Sequence, residues 1–361
     1  MNAVDRPFLT IATILIVGGF IILASASAVI SEKTFQSTYY YIARQVLYGG
    51  GIGLLLFFLG LKIPVSFWRK IAVPLMLLGL VLAALLFVPG LGVTHGGATR
   101  WLDIGPLSFQ TSEILKFAFI VYLASWLESK RENLGEFSSA FIPFIIIMAI
   151  VAVFLILQPD IGTLGVMMVS ATILYFFGGG KATQFFTLLL LACLALFVLI
   201  QVAPYRLDRL TVFLDPTHDP QGKGYQINQS FIAIGSGGFS GLGFGGSREK
   251  YNYLPEPMGD SIFAVFAEEF GFFGASTLIM LFLALLWRGL YIGARAPTTF
   301  EKFLTVGLIT SITIQAFINM GAISGLLPLT GIPLPFVSYG STSLSMTMLS
   351  LGIILNISKR I

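Results

Sequence analysis

The sequence predicts an all-α integral membrane protein of about ten transmembrane helices, with a large extracytoplasmic loop between the seventh and eighth. Three observations predict it. Of 361 residues, 56% are hydrophobic and 11% charged, against about 25% charged in soluble domains, and the mean hydropathy is +0.90. Apolar runs of about 20 residues, the length that crosses a bilayer, recur along nearly the whole chain. Residues 204–260 break that rhythm, being polar, glycine-rich, charged and too long for a connector between packed elements. The chain reads as a single polytopic membrane domain, 1–361, with 204–260 as an outer loop within it and no separate soluble domain.

The first apolar run, about residues 8–30, exceeds the apolar core of a signal peptide, about 7–15 residues, and reads as a retained helix. Further spans follow at about 43–61, 71–88, 113–127, 141–157, 161–177, 185–203, 261–286, 303–323 and 335–357. Only Gln158, Pro159 and Asp160 separate the fifth from the sixth, which forces a tight turn. With both termini cytoplasmic, 12 of the 21 Lys and Arg residues lie on the cytoplasmic side, in short polar connectors as the positive-inside rule expects. The opposite nine sit inside motifs or near span ends, where topology gives them no reason to be. They suggest an anionic ligand.

Cys193 is the one cysteine, so no disulfide forms within the chain. His95 and His218 are the only histidines and no HExxH or CxxC occurs, which argues against zinc. The net charge of +4 fits contact with anionic membrane lipid or the usual cations at cytoplasmic helix ends. No nucleic-acid partner is expected.

Five stretches carry chemistry-bearing residues. In GLGVTHGGATRWLDIGPLSFQTSEILKF, Trp101 suits the membrane interface, and Glu113 and Lys116 stand i, i+3 at the top of a helix as a local ion pair or part of a site. Asp160 begins a helix and reads as an N-cap, or as a carboxylate holding a cation or hydroxyl. Gly241, Gly243 and Gly246 form a formal GxGxxG, but the strand and helix of a nucleotide site are not expected between spans. Close backbone packing, or N–H groups meeting a phosphate-like group, are the readings left. Asp260 again stands where an N-cap belongs, yet the outer cations Arg206, Arg209, Lys223, Arg248 and Lys250 belong to the same segment. An acid among cations at a polar–apolar boundary suits a general base beside an anion site. Within the next span Glu268 and Glu269 are costly in hydrocarbon and should face a cavity or a partner. Finally, three prolines in residues 325–344 interrupt a helix, which leaves backbone groups that line a cavity or form a re-entrant turn.

Taken in order, GATRWLDIGPLSFQTSEILKF, QPDIGT, DPQGKGYQINQSFIAIGSGGFSGLGFGG, REKYNYLPEPMGDSIFAVFAEEFGFFGA and NMGAISGLLPLTGIPLPFVSYGSTSL resemble the SEDS family (shape, elongation, division and sporulation) of RodA/FtsW/SpoVE-like proteins. The resemblance spans most of the chain from residue 95 onward. It implies a ten-helix fold in a bacterial cytoplasmic membrane and a peptidoglycan glycosyltransferase acting on lipid II and the nascent glycan strand. It also implies a class B penicillin-binding protein as transpeptidase partner. The family's proposed catalytic acid matches Asp260, in LPE-x-x-x-D, and its other implicated positions match Arg44, Arg100, Trp101, Glu113, Lys116, Asp160, Arg206 and Ser338. One departure is Met258-Gly259, where histidine-threonine is frequent in the family. The SREKYNYLPEP wording is nearer the division or sporulation branch than the elongation branch.

The implied reaction joins the 4-hydroxyl of an acceptor sugar to the anomeric carbon of a donor, releasing undecaprenyl diphosphate. Asp260 is the expected base, with Arg100, Lys116, Arg206 and Arg209 as diphosphate clamps. A single displacement inverts the anomeric centre. A divalent cation, Mg or Mn, could share the diphosphate's charge, with Asp260, Glu113 and Asp160 as candidate ligands; no nucleotide is needed, because the diphosphate linkage stores the energy. Gly49, Gly53, Gly321 and Gly325 allow close helix approach and would shape grooves for the lipid tail. The competing readings are a lipid II flippase, using Glu268, Glu269 and the proline-broken loop, and a noncatalytic scaffold.

Overall fold

The computed structural model describes residues 3–95, 98–104, 107–202, 205–216, 219–251 and 253–361. In chain order its helices begin with α1 (Arg6–Phe35) and α2 (Tyr40–Arg44), which runs through a π-helical stretch, Gln45–Gly51, into α3 (Ile52–Lys62). The short α4 (Val65–Lys70), α5 (Ala72–Leu85) and α6 (Thr111–Lys130) follow. A second π-helical stretch, Phe137–Phe141, leads into α7 (Ile142–Leu157), then α8 (Ile161–Phe177) and α9 (Ala182–Val202). Last come α10 (Tyr205–Leu214), α11 (Tyr225–Ser236), α12 (Ile262–Arg295), α13 (Thr299–Ile323) and α14 (Ser341–Ser358). Seven stretches among the described residues are long and apolar enough to cross a bilayer, counting Tyr40–Lys62 and Phe137–Leu157 each as one. The shorter α5 and α8 and the more polar α6 complete the expected ten.

The bundle is built around α13. Its most apolar window is 83% buried, against 6% for α9, so α13 is the central post and α9 a peripheral one. Small residues bring helices together. A Cβ at Gly53 would stand 2.6 Å from Met348 Sδ, so α14 lies directly on the second span. Both chain ends share one face: the backbone N–H of Asp5 donates to Ser358 Oγ at 3.1 Å, and Arg288 pairs with Asp5 at 2.7 Å. The opposite face, called the loop face below, carries α10, α11 and residues 253–261 and 324–340.

Three regions differ from the sequence reading. The glycine-rich stretch after α5 is not a plain loop but a three-stranded antiparallel sheet, β1 (Gly92–His95), β2 (Ala98–Ile104) and β3 (Leu107–Gln110). Trp101 stands opposite Val93 on one side and Gln110 on the other, and the Gln110 N–H donates to Thr342 Oγ1 at 3.2 Å, docking the sheet on α14. The last span begins at Ser341 rather than 335. Pro333 and Pro335 cannot donate to a helical ladder, and Phe336 sits at φ 69.

The third difference has the largest structural consequence: α12 is broken at Gly271 (φ 64, ψ −165). The glycine run of the outer segment closes the gap. The N–H groups of Leu242 and Gly243 donate to the carbonyls of Glu268 and Glu269, both at 3.0 Å. The N–H groups of Phe272 and Phe273 donate to Gly238 and Phe239, at 2.9 and 3.2 Å. Four backbone groups freed by the break, two carbonyls and two N–H groups, are thereby satisfied. A Cβ at Gly241 would lie 2.2 Å from the Glu269 carbonyl oxygen, and its φ is +80, so only glycine fits there. The GxGxxG is close backbone packing. Gly241→Ala is expected to destabilise the fold by about 1–3 kcal/mol, the usual cost of overpacking a tight contact, read as a lower midpoint of thermal unfolding in detergent.

Candidate functional site

A cavity of about 370 Å³ opens on the loop face between α10, α11 and residues 325–331. Asp260 lines it, together with Asp208, Arg209, Lys223 and Gln226 among polar residues and Val212, Phe213, Ile227, Phe231, Leu327 and Leu329 among apolar ones. Its wall mixes polar and apolar side chains, which suits an amphipathic ligand. Lys223 Nζ pairs with Asp208 at 2.7 Å, Arg209 Nη1 donates to the Leu329 carbonyl at 3.2 Å, and both cations line the cavity.

Asp260 sits at the end of the turn Leu254–Gly259, where Glu256 takes φ 49 and its carbonyl accepts from Gly259 and Ser261. Ser261, not Asp260, occupies the cap position of α12, and no side chain caps that helix. Gln226 Nε2 lies 3.2 Å from each Asp260 carboxylate oxygen and 3.0 Å from Ser261 Oγ. Burial pushes the Asp260 carboxyl up, and the charge of Glu256 adds to that. The Gln226 hydrogen bond and the charge of Arg209 oppose it, leaving it at about 6. A carboxylate with that value is roughly nine-tenths ionised at pH 7 and well matched to proton abstraction.

The other sequence candidates are held elsewhere. Lys116 pairs with buried Glu113 at 2.8 Å and also donates to Gln315 Oε1. Asp160 caps α8, accepting from the Thr163 N–H at 3.4 Å, while Arg100 donates to the Pro159 carbonyl of the same turn. Arg100 Nε and Asp160 Oδ2 are buried without a bonding partner among the described residues. Arg44 lies over the rings of Tyr40 and Tyr48, at 5.8 and 5.6 Å, beside the Tyr41–Tyr339 ring pair. Ser338 Oγ donates to the Gly259 carbonyl at 2.7 Å, touching the turn that carries Asp260. Arg206 falls within α10, but its side chain lies outside the described residues, as do the side chain of His95 and all of His218. The structure thus brings Asp260 and Arg209 together at the cavity, and does not bring Arg44, Arg100, Trp101, Glu113, Lys116 or Asp160 into its lining.

Two residues without an assigned role in the sequence reading matter here: Gln226, which lines the cavity, and Asn319, whose Nδ2 donates to the Asp260 carbonyl at 2.7 Å. An uncharged amide in a helix carries no sequence signature; only its proximity to Asp260 exposes it. Among the described residues no three His, Cys, Asp or Glu side chains converge on one point. Asp260, Glu113 and Asp160 have separate partners and do not form a shared donor set. Glu268 and Glu269 have partners too. Glu268 accepts from Ser247 Oγ at 2.5 Å and from the Arg248 N–H at 2.9 Å. Glu269 pairs with Lys250 at 2.7 Å and accepts from Ser25 Oγ of α1 at 2.6 Å.

Residues 5–361 match the FtsW/RodA/SpoVE family, described as cell cycle proteins. The stage V sporulation protein E of Bacillus subtilis (strain 168) is 39% identical over 355 residues, covering 98% of this chain and 97% of that protein. A probable peptidoglycan glycosyltransferase FtsW of Legionella pneumophila is 40% identical over 346 residues, covering 95% and 88%. A solved structure concerning the coordination of polymerization and crosslinking by a peptidoglycan synthase complex is similar at a TM-score of 0.79 and 30% identity, covering 99% of this chain and 98% of that one. A RodA point variant of Thermus thermophilus gives 0.72 at 25% identity, covering 99% and 97%. With ten spans in this order and full-length similarity on both counts, the chain belongs to the FtsW/RodA/SpoVE, or SEDS, family of multi-pass membrane proteins.

Proposed function

We propose that this protein is a peptidoglycan glycosyltransferase that polymerises lipid II into glycan strands at the outer face of a bacterial cytoplasmic membrane, with Asp260 as general base. The observation that carries the reading is a carboxyl raised to about 6 in a cavity of mixed polar and apolar lining that also presents Arg209 and Lys223. Family membership and the activity named for its FtsW relatives support the reaction class.

In that reaction the acceptor's 4-hydroxyl gives its proton to Asp260 as its oxygen bonds to the donor's anomeric carbon. The bond from that carbon to the phosphate oxygen breaks, and undecaprenyl diphosphate leaves with the electron pair. Arg209 and Lys223 stabilise the charge that develops on it. The other cavity carboxylate, Asp208, is paired with Lys223, so a single inverting displacement suits the site better than a covalent glycosyl intermediate. A Mg or Mn ion would arrive with the diphosphate as part of the substrate, taking at most the cavity carboxylates as protein ligands. The cation-rich face that carries both termini would be cytoplasmic. A class B penicillin-binding protein is the proposed partner, by analogy with the peptidoglycan synthase complex whose structure this chain resembles.

The test is polymer formation by purified protein from labelled lipid II in detergent, wild type against Asp260→Ala, with and without divalent cation. A flippase would lose activity only in sealed vesicles, and a scaffold would be complemented in cells by Asp260→Ala. The transport reading also leaned on Glu268 and Glu269, whose engagement with residues 247–250 and Ser25 gives them a structural task. The rate should fall on an acid limb centred near pH 6, because the base must be ionised. Gln226→Leu removes a bond that lowers the Asp260 value, so that limb should move to higher pH, as initial rates across pH 5–9 would show.

A further inference from the structure

Three successive carbonyls of the turn that carries Asp260 are each held by a donor from elsewhere. Met258 accepts from the Tyr339 N–H at 2.8 Å, Gly259 from Ser338 Oγ at 2.7 Å, and Asp260 from Asn319 Nδ2 at 2.7 Å. The same Asn319 nitrogen donates to the Ile332 carbonyl at 2.8 Å, so one amide ties the Asp260 turn to the last outer loop. One helical turn earlier on α13, Gln315 Nε2 donates to the Pro333 carbonyl at 3.0 Å. Gln315 Oε1 accepts from Lys116, whose other partner is Glu113. Gln315 and Asn319 are 2% and 1% exposed, an expensive place for two amides unless their bonds are needed.

The loop they hold forms one wall of the cavity. Leu329 and Gly331 line it, Arg209 is tied to the Leu329 carbonyl, and a Cβ at Gly331 would stand 3.8 Å from Asp260 Oδ2. With prolines at 328, 333 and 335 the loop has no ladder of its own, so its position is set by what grips it.

We infer that Gln315 and Asn319 are positioning residues, and that Lys116 serves the reaction through Gln315 instead of touching the diphosphate. The relay Glu113–Lys116–Gln315, with Asn319 above it, is a polar strut running from inside the bundle to the cavity wall. It sets where the loop, and with it Arg209, stands relative to Asp260. This rests on Asp260 being the base, but the strut itself is testable without any turnover.

The experiment compares wild type with Lys116→Met, Gln315→Glu, their double variant and Asn319→Asp, as purified full-length protein. It reads amide hydrogen exchange over residues 325–340 and steady-state kinetics with lipid II. Gln315→Glu leaves Lys116 a partner while removing the donor to Pro333. Exchange in 325–340 should quicken in each variant, including Lys116→Met, at a position linked to that loop by hydrogen bonds through Gln315, and the double variant should be no faster than either single. Asn319→Asp should also loosen 256–261. Turnover should drop about a hundredfold, the scale of a misplacement near 1 Å, with KM changed less than about twofold. Unchanged exchange in Lys116→Met, or KM rising while kcat holds, overturns the inference and marks Lys116 as a substrate ligand. Should Lys116→Met not fold, Gln315→Glu decides alone: exchange in 325–340 at the wild-type rate refutes the strut. Because exchange needs no substrate, loss of the strut and loss of the Asp260 reading are told apart.

Discussion

Asp260→Ala is expected to cut the rate of glycan formation from lipid II by about 10²–10⁴-fold, the range that a positioned proton acceptor contributes. Asp260→Asn should behave alike, since an amide fills the same space and takes no proton. The residual rate should lose its acid limb near pH 6, because the group that titrates there is gone. Stability should move differently. A carboxyl whose value is raised from 3.8 to about 6 in the folded protein favours the fold when protonated. That benefit is present below pH 4 and lost as pH rises to about 6, so above that the charge burdens the fold. At pH 7 the alanine variant should therefore melt no lower than wild type, which separates chemical loss from collapse. A variant retaining more than about a third of the rate would remove Asp260 from the base role.

The second large effect concerns Lys250. Its ammonium is held by Glu269 at 2.7 Å, Ser25 Oγ at 2.9 Å and the Gly245 carbonyl at 2.9 Å, and the two charged side chains are 3% and 1% exposed. Lys250→Met would strand the Glu269 charge at membrane depth and cost about 3–5 kcal/mol. In a detergent melt this amounts to a drop of roughly 10 °C. Lys250→Met combined with Glu269→Gln should recover much of the loss, because a neutral amide carries no stranded charge. Failure of the double variant to recover would show that the ammonium's bonds to Ser25 and Gly245 dominate.

The spans were legible because hydrocarbon tolerates only long apolar helices, a constraint written into every window of the chain. The place of Asp260, between an apolar run and a cation-bearing segment, was legible for a related reason, although an N-cap fitted that place equally well and the role of base came from the family resemblance. What escaped was whatever rests on tertiary approach. The run Phe270–Phe273 is equally apolar whether α12 is straight or broken, so hydropathy drew residues 261–286 as one uninterrupted span. The three strands after α5 are 4 to 7 residues long, and their glycine-rich surroundings read as turns. The outer cations were expected to gather near Asp260. Arg209 and Lys223 do so, while Lys250 is drawn to Glu269, a choice that depends on the break in a helix not visible in the sequence.

The splice between residues 238–243 and the broken α12 also bears on how the chain is made. Four peptide groups of α12, at Glu268, Glu269, Phe272 and Phe273, find partners only in a stretch synthesised about 30 residues earlier. During translation that stretch has left the ribosome before the helix that needs it, so the mending thread is in hand when the broken rod enters the bilayer. Reversing that order, by circular permutation between the two, would deliver a helix to the lipid with its gap unfilled.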